Sequence, residues 1–411
     1  MLDIVVISVF LVMAFNSNNG FSIKYQLPAK YSVHLHYLLF YHLFFSLFFT
    51  WYILNFGGDS QGYWRFTMEQ VKIHDPSWMK YFGEGTTFIL WLTYIPSRIL
   101  GLSYITGNIL FGFLGFLGIR YIFLMTYKHF PTNHEILKIP LFPTVFYLAN
   151  FHFWTSGVGK DALSFWAIAW FFFSLQQYKE RWWKAAVAFF FIYMSRPHMG
   201  QAIIGGSAIA LILGSDINRS YKFSLATLAF VASIIMSSYT LEALKIENFD
   251  LATLQQFSES KVGNLNTAHV GSGVNISSYS WPMKLFTYLF RPLFFDAHNI
   301  VSFISSFENL LYLWLSFFIY KNWSPEALRD MPLFLKAGMI TFIPVTIAFM
   351  NALSNLGIAM RMKNMLMIYF LLFCFYLITH KKYTLYLRSL DRKKFFQRRQ
   401  AIIDAKKKNA I

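Results

Sequence analysis

The sequence predicts an all-α protein: a polytopic transmembrane helix bundle of about nine to eleven spans with re-entrant or interfacial segments. Three observations carry this. Only 13% of the 411 residues are charged while 56% are hydrophobic; soluble domains carry roughly 25% charged residues. Uncharged runs recur at about the length a helix needs to cross a bilayer. Lysine and arginine concentrate in short segments between those runs and in the tail, where "HKKYTLYLRSLDRKKFFQRRQAIIDAKKKNAI" holds eleven of them against two Asp. A soluble enzyme is excluded.

Taken in order, the predicted spans are 1–15, 33–54, 105–127, 139–153, 162–177, 223–241, 300–320, 332–353 and 364–379. The apolar stretch 185–214 is interrupted by "SRPH", where Pro197 cannot donate to a helix and disfavours helix at Arg196, so it folds as two helices. "TTFILWLTYIPSRIL" (86–100) is broken by Pro96 and Arg98, and "KLFTYLFRPLFF" (284–295) is too short to cross; both read as re-entrant or interfacial. No internal repeat of fixed period is visible. The lone cysteine, Cys374, lies in "MLMIYFLLFCFYLI" and reads as an ordinary buried helix residue, with neither a disulfide partner nor a thiolate zinc site. "MLDIVVISVFLVMAF" lacks the basic start and cleavage site of a signal peptide.

Orientation follows from the basic segments, which favour the cytoplasmic side. The tail and loops 176–184, 216–222 and 321–330 are inside; 154–161 and a loop at 242–299 are outside. Lys24 and Lys30 belong inside, which places Asp59 outside provided 86–100 does not cross. The organisation is a bundle over 1–380 with its outer-face loop, then a basic cytoplasmic tail over 381–411. The polar stretch 242–284 is longer than an ordinary connector, hence functional or disordered. The tail abuts a span, so its charge suits anionic lipid and not nucleic acid.

The outer end collects Asp59, Lys160, Asp161, Arg196, His198, Arg291, Arg361 and Lys363. A charge between membrane-grade runs needs water, a partner or a function. Lys363 reads as a lysine snorkelling to lipid phosphate, Arg361 equally as an interface anchor, and His269 and His298 as surface histidines. "TSGVGKD" reads as a glycine turn into a helix whose first turn holds Asp161, either as a cap favoured by the helix dipole or as part of a site. "GVGK" lacks the upstream glycine and following Ser/Thr of a P-loop. Asp59, in "NFGGDSQGYW", is either a solvated loop acid or the carboxylate of a ligand-embracing turn. Arginine forks suit phosphate, and a carboxylate or imidazole suits activation of a hydroxyl.

With "GGDSQGYW" after an early span, "FWTSGVGKDAL" at a helix break, a late "NLGIAMRMK" and "YLFRPLFFDAHN…SSFENLLYLWL", the chain resembles bacterial exopolysaccharide and O-antigen polymerases, and more broadly the GT-C membrane glycosyltransferases. The resemblance implies a multi-pass protein of the bacterial cytoplasmic (inner) membrane that extends undecaprenyl-pyrophosphate-linked glycans on the outer face, in cell-envelope polysaccharide synthesis. It implies Asp59 as base or metal ligand, with Arg196, Arg291 and Arg361 on the donor pyrophosphate. Asp59, His198 and Asp161 are then the catalytic candidates, and Lys160, Arg196, Arg291 and Arg361 the substrate-binding ones. The chain departs from the GT-C pattern in lacking a paired-acid motif in that loop and a large soluble C-terminal domain. No residue set calls for a metal or other cofactor, although the family's chemistry accommodates a divalent cation. The implied partners are the polyprenyl-linked glycan, membrane lipids and other polysaccharide-assembly proteins. Two alternatives are a transporter or flippase for an anionic glycolipid and a noncatalytic scaffold. Charges at span ends rather than at mid-span favour the enzyme over the transporter.

Overall fold

Inside hydrocarbon every backbone N–H must find a carbonyl within its own segment, so uncharged runs fold as helices. The computed structural model describes residues 1–69, 77–130, 135–136, 139–214, 218–220, 222–224, 226–227, 231, 273–274 and 276–408. Most of the predicted span 223–241, most of the loop 242–284, and His269 lie outside the described residues. The protein is a multi-pass, all-α helix bundle. Seven of its described helices are long and apolar enough to cross a membrane: α1 (Leu2–Lys24), α2 (Ala29–Phe56), α5 (Tyr104–His129), α10 (Pro197–Gly214), α12 (Ile300–Asn322), α14 (Leu333–Ala352) and the apolar part of α15 (Leu356–Lys408). Between them run α3 (Asp59–Glu69), α4 (Thr86–Thr93), α6 (Leu141–Thr144), α7 (Ala149–Phe153), α8 (Lys160–Leu175), α9 (Tyr178–Ser195), α11 (Trp281–Phe290) and α13 (Pro325–Asp330).

Side-chain links show which ends of these helices meet. The Tyr104 hydroxyl at the start of α5 donates to Ser60 Oγ in α3 at 2.8 Å, and Trp64 Nε1 donates to the Leu102 carbonyl at 3.1 Å. Lys160 Nζ, at the start of α8, donates to Thr86 Oγ1 at the start of α4. The described residues between Asp59 and Tyr104 therefore lie at one end of the bundle. α4 and the six-residue π-helical turn Tyr94–Ile99 that follows it rise about 21 Å together, short of the roughly 30 Å hydrocarbon core.

The predicted helical span 139–153 is corrected. α5 and α8 both begin at the Asp59 end, and the 26 residues of α5 rise about 39 Å. The segment between α5 and α8 must therefore bring the chain back, and its described residues do so in pieces. A two-residue ladder, β1 (Glu135–Ile136) against β2 (Ile139–Pro140), is followed by α6, a 3-10 turn at Val145–Tyr147, and α7. Pro140 and Pro143 break the helix, and Phe142 before the second proline is extended at φ −102°, ψ 126°. Irregular backbone is tolerated at membrane depth only where protein covers it. Here Tyr41 donates to the Tyr147 carbonyl and Asn364 Nδ2 to that of Asn150. Glycines of α5 let this segment lie close: a Cβ on Gly115 would sit 2.0 Å from the Thr155 carbonyl oxygen.

The apolar stretch 185–214 breaks at Arg196 (φ −150°, ψ 86°), with Pro197 opening α10, where the sequence places the break. The predicted loop 176–184 is instead a two-residue turn, and its lysines and arginine lie on the first turns of α9. α11 spans ten residues and stops at Arg291. α15 is the central helix, buried throughout its apolar window and carrying Cys374 in its core. It continues as one 53-residue helix, about 80 Å, through the boundary drawn at 380.

Orientation has a direct test in a Cys374→Ser background. His298, exposed just before α12, and Arg329, exposed beyond its far end, lie at opposite ends of the bundle. A membrane-impermeant maleimide should label the His298→Cys variant in intact cells and the Arg329→Cys variant only after permeabilisation. The reverse pattern would invert the layout.

Candidate functional site

Four chain breaks bring four charged side chains together. α2 ends at Gly57 (φ 80°) and Gly58 (φ 151°), a reversal that favours glycine and sets Asp59 as the first residue of α3. Gly159 (φ 154°) turns the chain into α8, whose first turn carries Asp161. The α9–α10 break presents Arg196. Asn355 caps α15, its Oδ1 accepting from the Ile358 N–H at 3.1 Å, so Arg361 falls in the second turn.

The four side chains form one ion-pair chain. Arg196 Nη2 donates to Asp161 Oδ1 at 2.5 Å, and Arg361 Nε donates to Asp161 Oδ2. Arg361 Nη1 reaches on to Asp59 Oδ2 at 3.2 Å. Exposure rises along the chain: Arg196 8%, Asp161 9%, Arg361 22%, Asp59 64%. Asp59 is thus the member open to an incoming molecule, and Asp161 is the buried counter-charge that holds both guanidiniums. Arg196 spends Nη1 on the Met362 sulfur, and its Nε is buried without a partner. Nearby, burial reinforced by the Asp59 carboxylate pushes the Tyr63 hydroxyl up, so it stays a proton donor at neutral pH.

Beside the chain opens a cavity of about 380 Å³. Its lining includes the charged Asp59, Asp161 and Arg361 and the rings of Phe49, Tyr52 and Trp154. Gly57, Gly58, Gly157 and Gly159 contribute bare backbone. Gly273 forms a bridge with Asn355 at the cavity wall, so this part of the predicted outer-face loop sits at the site end.

The structure joins Asp59, Asp161, Arg196 and Arg361, and places the other candidates around or away from them. Lys160 lies next to the chain but is engaged with Thr86, not Asp59. His198 is exposed, its ring edge-on to Phe349 at 5.8 Å. Arg291 forks onto its own neighbour, Nε to Asp296 Oδ2 at 3.0 Å and Nη2 to Oδ1 at 2.5 Å, so the fork expected to hold phosphate is already occupied. Burial works to raise the Asp296 carboxyl, but this arginine and the Leu293 N–H outweigh it and hold the acid below its usual range.

Asp161 does sit in the first turn of α8, where the helix dipole favours an acid, but both its oxygens are also taken by arginines. Two bland readings are corrected. Arg361 is not an interface anchor but the bridge between two acids. Lys363 does not snorkel; it is 2% exposed and donates to the carbonyls of Leu289 (2.9 Å) and Arg291 (3.1 Å) and to Asn309 Oδ1 (2.8 Å).

Sequence reasoning passed over the polar interior. Glu308 in α12 is buried and accepts from the Asn150 N–H at 2.6 Å, capping α7 from another helix. His42 and His152 meet Nδ1 to Nδ1 at 2.9 Å, both fully buried. The signal was an acid within "SSFENLLYLWL" and histidines within apolar runs. Among the described residues no group of three or more His, Cys, Asp and Glu is placed to hold a metal ion. No family model, curated protein or solved structure matches this chain.

Proposed function

We propose that the protein is a glycosyltransferase of the polysaccharide-polymerase type in the bacterial cytoplasmic membrane, extending a polyprenyl-pyrophosphate-linked glycan on the face that carries the site. The observation behind this reading is the Arg196–Asp161–Arg361–Asp59 chain, drawn from α3, α8, the α9–α10 break and α15 to the edge of a cavity. In transfer, an acceptor hydroxyl attacks the anomeric carbon of the donor. Its proton passes to the exposed Asp59 carboxylate, the bond from that carbon to the pyrophosphate oxygen breaks, and the electron pair leaves with the lipid pyrophosphate. Arg361 orients Asp59, while Arg361, Arg196 and Lys160 supply the cationic surroundings that a departing pyrophosphate needs. Asp161 positions the arginines and takes no part in proton transfer. Asp59→Asn should lower polymer in cells by about 100-fold or more, the range expected on losing a general base, with unchanged protein level in the membrane. Wild-type chain length from this variant would sink the reading.

A transporter or flippase for an anionic glycolipid is the second reading. It is favoured by Glu308 and Lys363, both buried inside helices and close to the broken α6–α7 segment, since transporters place polar groups on discontinuous helices. Cells lacking the protein separate the two. Unpolymerised glycolipid collecting on the outer face supports the polymerase, and collection on the inner face supports the flippase.

A further inference from the structure

Arg361 lines the cavity with Asp59 and Asp161, whereas Lys160 and Arg196 are absent from its lining. Lys160 instead reaches Thr86, and Arg196 reaches Asp161 and Met362. We infer that Arg361 divides two subsites: the cavity receives a neutral pyranose ring of the acceptor glycan, and the Lys160–Arg196 side receives the anionic pyrophosphate. This rests on the polymerase reading and assigns each half of its substrate a place.

The cavity's two kinds of wall select the sugar. At about 380 Å³ it falls within the roughly 300–1,000 Å³ of ordinary small-molecule sites. A pyranose has an apolar C–H face and a rim of hydroxyls. Phe49, Tyr52 and Trp154 offer aromatic surface to the face. Asp59, Arg361 and the backbone of the exposed Gly57 and Gly58 offer hydrogen bonds to the rim. A Cβ on Gly157 would lie 2.2 Å from the Phe49 ring, so that wall accepts no side chain. An isoprenoid chain in the same space would strip water from Asp59 and Arg361 and return no hydrogen bond. A pyrophosphate there would face Asp59 and Asp161, two like charges on the cavity wall. On the other side Lys160 needs only to exchange one neutral hydroxyl, Thr86 Oγ1 at 3.0 Å, for an anion. Arg196 keeps an unpartnered buried Nε–H, and the Tyr63 hydroxyl meets the same Thr86. Asp59 sits at the boundary, where an acceptor hydroxyl and a donor anomeric carbon would meet.

The test uses the full chain in lipid nanodiscs with two probes, inorganic pyrophosphate and a panel of neutral methyl glycosides. Glycoside binding is read by saturation-transfer NMR and pyrophosphate binding by calorimetry. At least one glycoside should bind, with affinity lowered about tenfold by Tyr52→Ala or Trp154→Ala and unchanged by Lys160→Ala. Pyrophosphate binding should show the opposite dependence, and the two probes should bind together. The ring-preserving Tyr52→Phe and Trp154→Phe variants should keep most glycoside affinity, which guards against simple misfolding. Displacement of the glycoside by pyrophosphate, indifference to the aromatic variants, or absence of glycoside binding would overturn the division. Because these are binding measurements, Asp59→Asn polymer yield tests the reaction separately: lost division with lost polymer leaves the polymerase reading standing.

Discussion

Asp161→Ala is expected to destabilise the protein by about 3–5 kcal/mol, the cost of breaking a buried ion pair by removing one partner. The carboxylate is 9% exposed and is shared by Arg196 and Arg361, so its loss leaves two guanidiniums facing one another without their counter-charge. Membrane accumulation and the detergent melting temperature should both fall. Asp161→Asn should fall nearly as far, since an amide carries no charge to hold either arginine. This separates the ion-pair role from helix capping, because Asn caps as well as Asp. Asp161→Ala combined with Arg196→Met should recover part of the loss, one of the two stranded charges having gone. Normal accumulation of the single Ala variant would show that the chain of pairs does not support the fold.

On the proposed polymerase function, in which Asp59 takes the acceptor proton, Arg361→Lys is expected to lower polymer about 100-fold or more while the protein still accumulates, by removing the group that positions that acid. The guanidinium reaches Asp161 through Nε and Asp59 through Nη1, two acids 102 positions apart, with one rigid plane. A lysine ammonium is a single point on a flexible stem and cannot hold both carboxylates in that geometry. Charge is conserved, so a purely electrostatic role predicts near-normal product. Comparing glycan length distribution with membrane protein level decides between them.

Each member of the site could be singled out in the sequence, because a charge between apolar runs is costly wherever the run is a span. Their partners could not. Lys160 and Asp161 are adjacent, yet they work apart, one on Thr86 and the other on arginines from two other elements. Arg291 is equivalent to Arg196 and Arg361 in the sequence, but its fork lies on Asp296, five residues away at the end of a 3-10 turn. Lys363 followed the general habit of lysines at span ends in expectation only. The carbonyls released where α11 ends give it an interior set of acceptors that no local pattern reveals.

The segment 139–153 shows the limit from the other direction. Its hydropathy suits a helix although Pro140 and Pro143 interrupt it, because apolarity reports burial and not backbone geometry. The neighbouring helices then decided that broken backbone could lie at that depth, since Tyr41, Asn364 and Glu308 answer its exposed amides and carbonyls.

Local chemistry was enough for the membrane class, the helix break at Arg196, the glycine turns before Asp59 and Lys160, and the ends of the spans at 105–127, 300–320 and 332–353. Those follow from transfer cost per residue and from the backbone limits of proline and glycine, which act over a few positions. The pairing of Arg361 with both Asp59 and Asp161, the burial of Lys363 and Glu308, and the cavity edged by three aromatic rings were decided only by tertiary structure. Whether a charge is solvated, paired or stranded depends on which helix ends meet in space, and for Asp59 and Arg361 that meeting joins residues 302 positions apart.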